Sequence, residues 1–115
     1  MDILENYTNN LLIFLEEKLG ARFNGYCFVD KDMGYITGFI DDIRIDIRCY
    51  DLIVTYEFND HNANALRDEL DLLIREYIGN DDIKTHAEIH SYASNTLGSI
   101  FLLNHRIVEE QKKRR

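Results

Sequence analysis

An α+β fold is predicted, on three observations. Apolar residues recur at three-to-four spacing over residues 3–19 and again over 61–79, as in amphipathic helices. Between them, residues 25–58 alternate apolar and polar at every second position, as in half-buried strands. Short turns separate the alternating stretches, which places each strand beside its sequence neighbour. The expected architecture is a four- to five-stranded antiparallel meander, with two or three helices packed mainly on one face.

The first helix rests on Leu4, Tyr7, Leu11, Phe14 with Leu15, and Leu19. Leu12 and Ile13 widen its apolar face, and Glu16 and Lys18 fall outside it. Gly20 is a natural C-terminal stop.

From Ile43 to Cys49 every odd residue is apolar and every even residue is charged. Leu52, Val54, Tyr56 and Phe58 continue the alternation. A two-residue turn at Tyr50-Asp51 sets Cys49 opposite Leu52, Ile47 opposite Val54, Ile45 opposite Tyr56 and Ile43 opposite Phe58. All four pairs share one apolar face, and Arg44 opposes Glu57 on the other, as cross-strand pairing prefers. A turn at Asp41-Asp42 pairs Ile40 with Ile43 and Ile36 with Ile47. A four-residue loop over residues 31–34 pairs Val29 with Ile36 and Cys27 with Gly38.

Two consequences follow from this register. Cys27 and Cys49 fall on strands one and three, two spacings of ~4.8 Å apart. That exceeds the ~7 Å Cα separation a disulfide tolerates, so both are expected to be reduced core thiols. The outer face of the sheet, by contrast, collects Tyr26, Phe28, Tyr35 and Phe39, with Arg44, Arg48 and Ile53 further along. A solvated face does not normally carry four aromatics. It is either a contact surface or is covered by the C-terminal segment, whose Phe101, Leu102 and Leu103 need a home.

Leu66, Leu70, Leu73, Ile74 and Tyr77 form the stripe of the second helix, with Asn59 or Asp60 as N-cap and Gly79 as its end. Arg67, Asp68, Asp71, Arg75 and Glu76 form its wet face. Residues 83–92 return to period two and read as a fifth strand. Beyond them, Leu97, Ile100 with Phe101, Asn104, and Ile107 with Val108 suit a helix capped by Ser94 or Asn95. Residues 99–108 also suit a strand in a hairpin with 83–92. The helix is preferred because residues 109–113 continue it well.

The chain has 115 residues and a formal net charge of −8. Four cations and two anions lie in the last seven residues, so residues 1–108 hold −10. One globular domain over residues 1–108 and a charged tail over 109–115 are expected at this length. Such acidity opposes direct nucleic-acid binding, which draws its affinity from Lys and Arg on phosphates. It equally opposes an anionic membrane surface. The longest apolar run, Leu11–Leu15, is far below the ~20 residues of a membrane helix. The N-terminus lacks the cationic start and cleavage site of a signal peptide, so a cytoplasmic location is expected.

Few residues are arranged for chemistry. His86, Glu88 and His90 share one face of the fifth strand, and imidazole and carboxylate are natural metal ligands. Same-face neighbours on a strand stand ~6–7 Å apart, however, and cannot easily converge on one ion. The string also departs from the zinc-protease pattern, because Ala87 stands where its glutamate belongs. Asp41-Asp42, Asp68-Glu69 with Asp71, and Asp81-Asp82 are acidic clusters without the spacing of a calcium loop. No nucleophile elbow, reactive cysteine or phosphate-binding glycine loop is present in the sequence, and no cofactor is expected. The basic Lys112–Arg115 run suits a helix C-terminus.

The expected function is therefore that of a small acidic non-enzymatic protein-binding module. Tyr26, Phe28, Tyr35, Phe39, Arg44 and Arg48 would hold the partner. Asp41, Asp42, Asp68, Glu69 and Asp71 would steer a basic one. Immunity proteins of bacterial toxins and phage anti-defence inhibitors share this profile, and the partner class they suggest is a basic, nucleic-acid-handling protein. The alternatives are a homo-oligomeric structural component, such as a phage particle or ring subunit (a homodimer being its simplest form), and a metal-dependent enzyme built on His86, Glu88 and His90.

Overall fold

The computed structural model describes residues 3–79, 83–86, 89, 95–107 and 109. Helix α1 spans Ile3–Leu19 and buries Tyr7, Thr8, Leu11, Leu15 and Leu19. Ile13 does not belong to that face: it is 43 % exposed, on the side away from the sheet. The helix ends where Gly20 takes φ +59°, a left-handed conformation that costs a glycine nothing. A short 3-10 turn over Gly20–Arg22 then leads into the sheet.

Four strands follow as expected: β1 (Phe23–Asp30), β2 (Met33–Ile40), β3 (Ile43–Cys49) and β4 (Ile53–Phe58). The β2–β3 register is the expected one, with Ile40 opposite Ile43 and Ile36 opposite Ile47. Asp41 and Asp42 both take positive φ, 51° and 66°, as a type I′ hairpin turn requires. Aspartate tolerates this region better than most residues.

The other two registers differ from expectation by two residues each. The first turn is only Lys31-Asp32, so Cys27 faces Ile36 and Val29 faces Gly34. The third is Asp51-Leu52, closed by a 2.7 Å bond from the Tyr50 amide to the Ile53 carbonyl. Cys49 thus faces Val54, Ile47 faces Tyr56 and Ile45 faces Phe58, while Glu57 lies opposite Asp46 rather than Arg44. A shift of two preserves every side chain's face, whereas a shift of one would have turned the core out to solvent. This is why alternation set the faces but not the partners.

Helix α2 spans Asn64–Ile78, starting later than expected, and Gly79 ends it at φ +70°. Neither Asn59 nor Asp60 caps it. The Asp60 carboxylate instead accepts the Asn62 amide at 2.8 Å, a local turn ahead of the helix.

The C-terminal segment corrects the preferred reading. Leu97–Leu102 is a strand, β6, inserted between β4 and a short β5 (Lys84–His86). The result is a six-stranded sheet in the order β1-β2-β3-β4-β6-β5, with every neighbouring pair antiparallel. Leu97, Ser99 and Phe101 are buried while Leu102 is 36 % exposed, which is a period of two and not of 3.6. The segment neither joins the helices nor crosses the outer face. Its continuation is tied down by bonds from the Leu103 amide to the Leu52 carbonyl and from the Ile107 amide to the Asp51 carbonyl, both 2.9 Å.

Both helices pack on the same face of the sheet. Tyr7 meets Tyr77 edge-on at 5.3 Å, and the Tyr77 hydroxyl donates to the Tyr7 carbonyl at 2.9 Å. The core between helices and sheet is built from Ile36, Ile40, Ile45, Ile47, Val54, Tyr56, Phe58, Leu70, Ile74 and Phe101. At Gly34, α1 comes so close that an added Cβ would lie 1.9 Å from the Thr8 hydroxyl oxygen.

No helix among the described residues is long and apolar enough to cross a membrane. Asp81, Asp82, Glu88, His90, Ser94 and residues 110–115 lie outside the described residues, so the expectations placed on them are neither met nor corrected.

Candidate functional site

The hairpin of β1 and β2 sets four aromatics on the outer face of the sheet, opposite the helices. Period two dictates this: Phe23, Ile36 and Ile40 face the core, so Tyr26, Phe28, Tyr35 and Phe39 must face outward. Tyr26, Phe28 and Phe39 are 62 %, 46 % and 48 % exposed. Among the described residues nothing covers them. Phe28 stacks on Tyr35 at 4.8 Å and on Tyr26 at 6.2 Å, forming a continuous aromatic row across the hairpin.

Arg44 and Arg48 continue the face on β3. Arg44 lies 3.5 Å from Asp46, and Arg48 lies 3.9 Å from Glu57. The Thr37 hydroxyl donates to Asp46 at 2.8 Å. Between the aromatic row and the arginines runs a shallow groove of about 170 Å³. Among the described residues the face carries Asp30, Asp46 and Glu57 against Arg44, Arg48 and Lys84, so these charges balance. The excess acidity of the described residues therefore lies in turns and helices.

The five acids expected to steer a partner are not equivalent. Asp42 and Asp68 are exposed. Asp41 and Glu69 instead close on Arg22 from two sides. Arg22 donates to Asp41 at 2.9 and 2.7 Å, and to Glu69 at 2.8 Å from each terminal nitrogen. The pair holds both carboxyls below their ordinary pKa, chiefly through the bonds from Arg22. These carboxylates are already spoken for within the fold, joining the β2–β3 turn to α2. Nothing local in Gly20-Ala21-Arg22 signals this role, since both partners are remote in sequence.

Asp71 departs furthest from expectation. It leaves the wet face of α2 and accepts a hydrogen bond from the buried Tyr56 hydroxyl. Its side chain is only 16 % exposed, and Arg67 Nε lies 3.7 Å away. Arg67 also donates to Ser99 Oγ on β6 at 3.2 Å. Burial, and then the bond to Asp71, push the Tyr56 hydroxyl pKa up. These four groups satisfy one another under the sheet and form a structural network.

Cys49 is buried and Cys27 only half-buried, so the expectation of two core thiols holds for the first alone. Burial pushes the Cys49 thiol up to about 12. Iodoacetamide should therefore modify Cys27 first, and reach Cys49 only in denaturant. Mass spectrometry of the labelled chain checks this, and equal labelling of both without denaturant would contradict it.

The Arg22 clamp carries a pH prediction. Because the folded pKa values of Asp41 and Glu69 are lowered, the clamp's contribution is present above their unfolded values. It is lost as pH falls through the folded ones. In an Arg22→Gln variant both carboxyls should return towards 3.8 and 4.5, and the acid limb of the stability curve should flatten. An NMR titration of the two side chains reads the shift directly.

His86 lies on β5 opposite Ile100, apart from the aromatic row, and its two suggested co-ligands lie outside the described residues. Among the described residues no three His, Cys, Asp or Glu side chains converge as metal ligands would. Compared with family models, with curated proteins and with solved structures, the chain matches none.

Proposed function

We propose that this chain is a small, acidic, non-enzymatic module that docks through its outer sheet face on a basic, nucleic-acid-handling protein and blocks it. Short length, acidity and the lack of a catalytic motif are a profile shared with toxin-immunity and phage anti-defence inhibitors. The observation that carries the reading is the stacked row of exposed Tyr26 and Phe28 with half-buried Tyr35, on a face whose described charges balance, in a chain whose net charge is −8. Exposed aromatics in contiguous array are unfavourable in water and favourable in an interface, where Tyr and Arg supply much of the binding energy. Charge placed away from that face raises the rate of encounter with a cationic protein without having to be desolvated on docking. Asp42 and Asp68 are the acids best placed for this.

The test is capture from host extract on immobilised protein, with identification of the captured chain and measurement of its binding. Tyr26→Ser with Phe28→Ser should abolish capture, a loss of at least ~100-fold in affinity at an interface hot spot. Added salt should slow association and leave dissociation nearly unchanged. Equal capture by wild type and the double variant would overturn the reading.

A further inference from the structure

The two edges of the sheet are built differently. Among the described residues the β5 edge spans Lys84–His86 and carries Lys84 and His86, both exposed. Short, charged edges resist the addition of another strand. The β1 edge is eight residues long, pairs with β2 without a bulge, and contains neither proline nor lysine. Among the described residues the only blunting device it carries is the charge of Asp30 at its end.

The hairpin determines which backbone groups this edge offers. In a two-residue hairpin the flanking pair exchanges both hydrogen bonds, and bonded pairs then alternate. Asp30 and Met33 flank the first turn, so Phe28, Tyr26 and Asn24 bond inward to β2. The bond from the Asp41 amide to the Arg22 carbonyl, 3.0 Å, continues the same parity. Gly25, Cys27 and Val29 therefore turn their N–H and C=O groups to the open side, whereas the Phe23 amide is taken by the Gly20 carbonyl.

What flanks this edge differs on its two faces. On the outer face stand Tyr26 and Phe28. On the helix side a cleft of about 470 Å³ lies between α1 and β1, lined by Glu5, Thr8, Asn9, Cys27, Phe28 and Val29. Glu16 stands eleven residues, about three turns, beyond Glu5 on α1, so the two carboxylates share this flank. Lys18, the only cation of α1, is on the other flank, 3.1 Å from Glu76 of α2.

We propose that the β1 edge takes an extended basic segment of the partner as a seventh strand, with a Lys or Arg side chain seated in the cleft beside Glu5. Successive side chains of an added strand point to opposite faces. The segment that fits therefore alternates cationic residues, towards Glu5 and Glu16, with apolar or aromatic residues that extend the Tyr26–Phe28 row. A second copy of this chain fits worse, because pairing β1 with β1 about a two-fold axis brings the acidic flanks of both α1 helices together. The proposal rests on reading the chain as a binder of a basic protein.

The test uses an acetylated, amidated octapeptide alternating lysine and valine, titrated into ¹⁵N-labelled protein. The amides of Gly25, Cys27 and Val29 should shift and gain protection from exchange. An octapeptide alternating glutamate and valine should leave them unmoved. Glu5→Gln with Glu16→Gln should weaken binding about fivefold, as expected for two partly exposed ion pairs. Val29→Pro removes one edge donor without touching the β2 ladder, and should abolish the response with the circular dichroism spectrum unchanged. Equal response to both peptides would overturn the proposal, as would shifts confined to α2. A chain that sediments as a dimer with its β1 amides already protected would also overturn it. If the Lys peptide leaves β1 unmoved while partner capture still depends on Tyr26 and Phe28, strand addition fails and the docking reading stands. If capture ignores Tyr26 and Phe28, the docking reading itself fails.

Discussion

Replacing Phe101 by alanine should cost about 3–5 kcal/mol of stability, the range for truncating a buried aromatic. Phe101 is fully buried on β6, between Val54 of β4 and Thr85 of β5. Its ring stacks on Tyr56 at 6.2 Å, and the Arg75 guanidinium lies over it at 5.8 Å. Arg75 in turn donates to Thr85 Oγ1 at 2.6 Å and to the Ile83 carbonyl at 3.1 Å. Removing the ring therefore opens a cavity and loosens the attachment of β5 to α2. The informative control is its neighbour. Leu102 is 36 % exposed and points to the other face, so Leu102→Ala should cost less than about 1 kcal/mol. Urea unfolding of the two variants measures both values. Similar losses at the two positions would contradict the strand assignment, since residues in succession share a face only on a helix.

Gly98→Ala should be at least as damaging as ordinary overpacking, which costs about 1–3 kcal/mol. An added Cβ at Gly98 would lie 1.9 Å from the Tyr56 carbonyl oxygen and 2.8 Å from the Glu57 Cα. Both obstacles are backbone, so no rotamer change can relieve them. The strands β4 and β6 would have to separate along the seam that inserts β6 into the sheet. At Gly34 the obstacle is a side chain instead, that of the buried Thr8. Gly79→Ala is the control at a helix end: it has open space around it and only its φ of +70° to strain, worth about 1–2 kcal/mol. Hydrogen exchange should show β6 amides accelerated beyond those of the rest of the sheet in Gly98→Ala, and no such preference for β6 in Gly79→Ala. Wild-type protection in Gly98→Ala would refute the close approach.

What could be read along the chain was local and periodic. The faces of α1 and of the first four strands follow from 3.6 and 2.0 repeats, and the helix ends at Gly20 and Gly79 from glycine's freedom at positive φ. Register was read only where the turn was marked: Asp41-Asp42 fixes β2 on β3. Lys31-Asp32 and Asp51-Leu52 each lie beside equally plausible turns, and a two-residue slip leaves the apolar pattern unchanged. The aromatic members of the candidate docking face were legible for the same reason as the strands, because alternation alone sends Tyr26, Phe28, Tyr35 and Phe39 outward.

Contacts between distant segments were beyond that reading. Residues 97–102 carry apolar side chains compatible with either period, and only the vacant ladder of β4 made them a strand. Asp71 looks like surface charge on a helical wheel, yet it turns inward because Tyr56 and Arg67 supply partners that make its burial tolerable. Asp41 and Glu69 are acids of two separate clusters until the fold brings Arg22 between them. The amino-acid pattern thus decided which face each residue takes. Tertiary structure decided which residues meet across those faces, because a side chain's direction is set by its own backbone and its partners by the closure of the whole chain.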